Sequence, residues 1–287
     1  MDLYKIRNEI NNIISQKQKE LQLTFEEENH EYTMVNLDGQ LKNDWPSVSK
    51  VMKFFYDEFP TEEAALKKAK GDVELAEQLK EEWAAAGLYS TNMGSRVHFL
   101  LEKKSHEIFK INKQVRKPDF NCDFEQILKG DSMIHAGTKF LNLMGERGAV
   151  LLDTEIVLGC NQLGYVGQPD KVWIIQNKEK TDIGLIITDY KTNKPKNFEE
   201  NQFTKRMYSP FQKYPNNALG HYFLQLPFYG KLLLKMLQGS KYGNIKLYGC
   251  IIVHLKEDSE YEEFRVPKEV ITTVLDMKME KYLTNKE

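Results

Sequence analysis

The chain has 287 residues, 41% of them apolar and 29% charged, with a formal net charge of −2. That length suits one large domain or a core with an appendage, no run of eighteen apolar residues offers a membrane span, and the N-terminus lacks the basic start and apolar stretch of a secretion signal. Three widely spaced cysteines, Cys122, Cys160 and Cys250, give neither a disulfide framework nor a CxxC metal knuckle, so a cytoplasmic protein is expected, and any affinity for nucleic acid must come from locally gathered positive charge.

Residues 1–20 read as a polar helix. Leu21–Phe25 and Glu31–Val35 alternate apolar and polar around Glu28-Asn29-His30, the pattern of a hairpin. Trp45-Pro46-Ser47 leads into an apolar helix that Ser47 can cap. Residues 61–86, rich in Ala, Glu, Lys and Leu, suggest an exposed helical pair broken at Gly71-Asp72. From residue 91 the expected order is helix (93–110), helix (123–146), strands over 149–158, 165–176 and 185–190, a long apolar helix (217–237), strands over 246–255 and 261–266, and a closing helix (267–283). Pro227 lies inside the long helix, where it removes a backbone hydrogen bond, so a kink is expected. The order predicts an α/β fold with a central mixed sheet flanked by helices. Residues 1–90 would be a mainly helical N-terminal appendage and 91–287 the core.

The residues that carry chemistry begin with Gly167-Gln168-Pro169-Asp170, followed nineteen residues later by Asp189-Tyr190-Lys191. A carboxylate set into a sheet is costly unless paired or bound to metal. Lys191 shares a strand face with Asp189, so a simple ion pair at a strand end is one reading. A divalent ion between Asp170 and Asp189 beside the lysine is the other, and hard oxygen donors suit Mg²⁺ or Mn²⁺. His98 and Glu102 stand four apart on a helix. Gly94, one turn earlier, admits close approach of another segment. Gln225 and Tyr229 repeat that spacing in the apolar helix, where a buried glutamine needs partners. After the sheet lysine comes a basic and aromatic segment with Lys194, Lys196, Lys205, Arg206, Tyr208, Phe211, Lys213 and Tyr214, which could stack bases while tracking phosphates or be a solvated loop.

Taken in order, Gly94-x3-His98-x3-Glu102, Glu155, Gly167-Gln168-Pro169-Asp170, Asp189-Tyr190-Lys191 and Gln225-x3-Tyr229 resemble the RecB-like exonuclease branch of the PD-(D/E)XK nuclease superfamily. The likeness is to phage-encoded exonucleases and the mitochondrial genome maintenance exonuclease. It spans roughly residues 44–255 and is most specific over 164–194. The resemblance implies a restriction-endonuclease-like core and a metal-dependent DNA exonuclease, acting on single strands or duplex ends through a metal-activated water. It also implies His98, Asp170, Asp189 and the Tyr190 carbonyl as metal ligands, and Asp170, Asp189 and Lys191 as catalytic residues. Gln225 and Tyr229, with Lys194, Lys205 and Arg206, would contact DNA, and Glu102 and Glu155 would support the site. Mg²⁺ or Mn²⁺ is the implied cofactor. The cysteine spacing departs from that of the relatives with iron–sulfur clusters, so no cluster is expected. No GxxxxGK[ST] loop is present, so the enzyme would act alone or with a replication or recombination partner. A structure-specific endonuclease or RNase on the same core, and a non-catalytic DNA-binding module, are the rival readings.

Overall fold

The computed structural model describes residues 1–201 and 204–283. Helix α1 (Leu3–Glu20) starts at Asp2, whose carboxylate accepts from the backbone N–H groups of Tyr4 and Lys5. Strands β1 (Thr24–Glu26), β2 (Glu31–Val35) and β3 (Leu41–Lys42) form a small antiparallel sheet. Helix α2 (Val48–Met52), capped by Ser47 as expected, and α3 (Thr61–Lys68) follow. Helix α4 (Val73–Phe109) and α5 (Phe124–Glu146) pack side by side.

The main sheet is built from β4 (Val150–Thr154), β7 (Lys171–Gln176), β8 (Ile183–Lys191), β9 (Lys246–Leu255) and β10 (Tyr261–Arg265), while β5 (Leu158–Cys160) and β6 (Tyr165–Gly167) pair as a separate ribbon. Helix α6 (Ala218–Leu237) links β8 to β9, and α7 (Lys268–Asp276) and α8 (Glu280–Leu283) close the described chain. The order across the sheet is β10-β9-β8-β7-β4. Only β8 and β9 run parallel, so the sheet is mixed.

Alternation along the strands divides the core into two layers. Val172, Ile174, Ile187, Cys250 and Ile252 pack with α1, α2, α6 and α7, whereas Leu151, Trp173, Tyr190, Ile251 and Val253 pack with α4 and α5. The result is helices on both faces of a mixed sheet, the expected class. Asp189 and Lys191 therefore continue the α6 face of β8, and Tyr190 turns to the α4/α5 face. They sit at the carboxyl end of the parallel pair β8/β9, where open α/β sheets expose loops to ligands.

Three details differ from the sequence reading. The expected strand over 149–158 is two strands, because Glu155 adopts a positive φ of 45° and turns the chain out of β4. The expected strand over 165–176 is also two, divided at residues 168–170 around Pro169, so Asp170 immediately precedes β7 rather than lying within a strand. Helix α4 runs unbroken through residue 90, the expected domain boundary, and α1 and α2 contribute Leu3, Ile10, Ile14, Val48 and Val51 to the same core as the sheet. Helix α6, expected over 217–237, spans Ala218–Leu237 with Pro227 inside it.

Candidate metal centre

Four elements meet at the carboxyl end of β8. His98 comes from the middle of α4, Glu155 from the turn after β4, Asp170 from the turn before β7, and Asp189 with Lys191 from the end of β8. His98 Nδ1 lies 3.0 Å from Asp170 Oδ2. The backbone N–H of Tyr190 donates to the same oxygen at 3.1 Å. Lys191 Nζ lies 2.7 Å from Asp189 Oδ2. One donor atom each from His98, Glu155 and Asp170 can be chosen so that all lie within 4.8 Å of one another.

Glu155 holds its place through its backbone. Its N–H donates to the Asp170 carbonyl at 3.1 Å, and its own carbonyl accepts from Gln168 Nε2 at 3.0 Å. A non-glycine residue at positive φ is strained unless its surroundings fix it. Here both backbone groups are fixed by the Gly167-Gln168-Pro169-Asp170 segment itself. Gly167 is needed for space: a Cβ there would stand 2.6 Å from the Tyr229 ring. That contact brings α6 against the segment carrying Asp170. Gln225 Nε2 donates to the Tyr229 hydroxyl at 3.0 Å, and Gln225 Oε1 is buried without a hydrogen-bond partner among the described residues. Gly94 is close to a side chain rather than a backbone, since its Cβ would meet Thr192 Oγ1 at 3.3 Å.

Burial and charge work against each other at every titrating group. Burial raises Asp170, but the His98 contact and the two lysines Lys191 and Lys171 outweigh it and hold the carboxyl below its usual range. Burial and then the Asp170 charge push Asp189 up to about 7. Burial, followed by Asp170 and Glu102, pushes Glu155 well above an ordinary glutamate. Burial lowers Lys191, yet the Asp189 and Asp170 carboxylates raise it overall, so the side chain is an ammonium. Burial pulls His98 down and Asp170 more than restores it. Such mutual perturbation in one cleft marks functional sites.

Three carboxylates drawn together, with Asp189 Oδ1 buried and lacking a hydrogen-bond partner among the described residues, suit a divalent ion with hard oxygen donors and one imidazole nitrogen. His98 must be neutral to serve as that ligand. The tightest donor group differs from the ligand set implied by resemblance. Glu155, expected as a supporting residue, belongs to it, while Asp189 is engaged by Lys191 one step away.

Lys191 lies 4.4 Å from the centroid of the Tyr222 ring, and the Tyr222 hydroxyl donates to Asn193 Oδ1 at 2.9 Å. His254 Nε2 donates to the Asn193 carbonyl at 2.7 Å, fixing the chain just beyond the lysine. On the other side, His106 Nε2 lies 2.7 Å from Thr154 Oγ1, whose hydroxyl donates to Glu102 Oε1 at 2.7 Å. Lys171 is 2% exposed, with Nζ 4.3 Å from the Tyr190 ring centroid. Lys171, Thr154, His106, Tyr222 and His254 were not singled out by sequence, and Gln168 was named only as part of its motif, with no role of its own. Lys171 carried a readable signal, a lysine at the head of the apolar run Val172-Trp173-Ile174.

His98, Glu102 and Glu155 open onto a groove of about 1720 Å³, also lined by Phe25, Phe99, Thr192 and Lys194. Lys205 and Arg206 do not line it. They are ion-paired with Asp57 at 3.4 Å and Glu200 at 2.9 Å. No helix among the described residues is long and apolar enough to cross a membrane. Compared with models of known protein families and with curated proteins, the chain has no match in either.

Proposed function

We propose that the chain is a metal-dependent DNA exonuclease of the RecB-like PD-(D/E)XK kind, hydrolysing phosphodiester bonds of single strands or duplex ends with Mg²⁺ or Mn²⁺. The observation that carries the reading is the convergence of the His98, Glu155 and Asp170 donor atoms within 4.8 Å of one another. The Asp189–Lys191 pair stands beside them. His98, Glu155 and Asp170, with Asp189 turned toward them, would hold the cation. When bound, that ion would lower the pKa of a water and offset charge on the phosphoryl group.

The remaining steps belong to the chain's own side chains. Lys191, kept protonated by Asp189, serves as a fixed positive charge for the equatorial phosphate oxygens. It is poorly suited to take a proton from water. Gln225 donates to the Tyr229 oxygen, so the phenol proton stays available for a phosphate oxygen. Burial, then the Asp189 and Asp170 charges, keep that phenol protonated. Lys194 at the groove wall would meet the backbone of the strand leaving the site.

The test uses end-labelled linear DNA, single- and double-stranded, beside closed single-stranded circles, in Mg²⁺ and in Mn²⁺. The wild type should degrade linear substrate and spare the circles. Asp170→Asn and Lys191→Ala should each lose a factor of about 10² or more, the scale of removing one oriented charge from a transition state. Variants as active as the wild type would sink the mechanism, and cleavage of circles would move the assignment to an endonuclease.

A further inference from the structure

The groove at the metal centre carries aromatic rings on its wall. The hairpin of β1 and β2 packs on Val166 of β6, in the strand that leads to Asp170: Tyr32 is buried there with Leu23, Met34 and Trp45, and Phe25 lies at the edge of that cluster. The Phe25 ring stacks on Tyr32 with centroids 4.5 Å apart. His30, exposed in the turn between the two strands, meets the Phe25 ring edge to face at 5.1 Å. Phe25 and His30 both line the groove, so the aromatic surface runs from the core of the hairpin out to solvent. On α4, Phe99 directly follows His98 and lines the same groove. It is half-buried, with the Phe120 ring 6.2 Å away and the Lys103 ammonium 5.6 Å from its own centroid.

We infer that Phe25, backed by Tyr32 and His30, and Phe99 form two base-stacking subsites beside the metal centre, and that they make single-stranded DNA the substrate of this groove. The inference rests on the nuclease reading proposed above and chooses between its two substrates. Charge alone holds a duplex poorly here. A duplex offers a protein mainly its phosphates, with the base faces turned inward, so its affinity comes from free cations. On this wall Arg116 is paired with Glu27 at 3.0 Å and Lys113 with Asp153 at 3.3 Å. A single strand offers base faces as well, and aromatic rings hold those with little regard to sequence, because every base has a π-face. Rings at the groove wall, outside the packed core, suit that contact. Phe25 is fixed from behind by Tyr32 and from the side by His30, so little side-chain freedom is lost when a base arrives.

The experiment is a fluorescence-anisotropy titration of the full chain in Ca²⁺ with three probes of equal length: a single strand of mixed sequence, a single strand of abasic residues, and a blunt duplex. Wild type should bind the base-bearing strand about tenfold or more tightly than either other probe, as stacking on two rings provides. Phe25→Leu and Phe99→Leu keep apolar volume and lose the flat face. Each should weaken binding of the base-bearing strand by about fivefold or more and leave the abasic strand unchanged. Phe25→Tyr and Phe99→Tyr should bind like the wild type. Equal affinity of the wild type for the base-bearing and abasic strands, or for the single strand and the duplex, would overturn the inference. So would leucine variants that lose affinity for both single strands alike, which would assign the rings to structure. Cleavage of linear DNA in Mg²⁺ or Mn²⁺ together with base-indifferent binding would remove the stacking subsites and leave the nuclease. Base-dependent binding with no cleavage would support the subsites and remove the nuclease.

Discussion

Gln168 carries the most specific prediction at the scale of single residues. Its side-chain amide is bonded to the Glu155 carbonyl at 3.0 Å, and Glu155 is held at positive φ. Gln168→Ala should cost the fold only about 1 kcal/mol, the net worth of an ordinary hydrogen bond. It should weaken Mn²⁺ binding by about 10- to 100-fold, as loss of a group that orients a ligand does. Parallel measurement of urea midpoint and Mn²⁺ titration separates the two effects, and equal loss in both would assign Gln168 to structure alone. His221 supplies the pH dependence. It stacks on Tyr56 with centroids 3.7 Å apart, its Nε2 donates to Asn216 Oδ1 at 2.6 Å, and burial depresses its pKa to about 4. The fold holds the neutral ring, so its contribution is complete above the unfolded pKa of about 6.5 and is lost as pH falls from there toward about 4. His221→Phe keeps the stack without the titration, so its urea midpoint should fall less between pH 7 and pH 4.5 than that of the wild type. At this scale the sequence made His98, Asp170, Asp189 and Lys191 visible, because charged groups at motif spacing stand out from apolar runs. It named Glu155 only as a supporting residue, because the left-handed turn that brings Glu155 beside Asp170 has no glycine to announce it.

The crossing of α4 on α5 decides whether His98 faces the sheet, and it can be tested at the scale of elements. Gly137 of α5 lies against α4: a Cβ there would stand 2.5 Å from a Leu101 methyl. Leu101 is fully buried one turn from His98, so Gly137→Ala must push α4 outward or force Leu101 off its rotamer. Overpacking of this kind costs about 1–3 kcal/mol, and Mn²⁺ affinity should fall with it. Gly87, exposed on α4 with nothing within 4 Å of an added Cβ, is the internal control. Gly87→Ala should stabilise the chain by about 0.5–1 kcal/mol, the helix preference of alanine over glycine. Both shifts are readable as thermal midpoints, and Gly137→Ala matching the wild type would mean that α4 and α5 yield freely. The continuity of α4 was hard to read because Gly87, Ser90, Thr91 and Asn92 resemble a break. Packing of Met93, Val97 and Leu101 on Met133, Ala136 and Phe140 overrides those local preferences. The strands were plainer: apolar runs rich in Ile and Val identified β8 and β9 nearly to their ends, while the interruptions at Glu155 and Pro169 followed from backbone turns.

Charge at the scale of the whole molecule sets how DNA would be held. The net charge is −2, and the cations on the groove wall are mostly committed. Arg116 pairs with Glu27, Lys113 with Asp153, Lys129 with Glu125 and Glu257, and Lys256 with Glu262. Neither Lys194 nor Lys196 forms an ion pair among the described residues, and both line the groove beside Thr192. Counterion release then predicts a shallow salt dependence. With two to four phosphates neutralised on a single strand, log affinity should fall with log salt at a slope of about −1.5 to −3. Anisotropy titrations of a fluorescent single strand over 50–300 mM salt, in Ca²⁺ to suppress cleavage, measure that slope. Lys194→Ala with Lys196→Ala should flatten it by about 1.4, two single-strand phosphate contacts. Lys205→Ala with Arg206→Ala, removing cations already paired with Asp57 and Glu200 outside the groove, should leave it nearly unchanged. A steep slope that responds to the second pair and ignores the first would place the DNA path along the 199–216 segment instead of the groove at the carboxyl end of β8. Local pairing, which the summed composition of the segment conceals, is the reason the groove pair is expected to dominate.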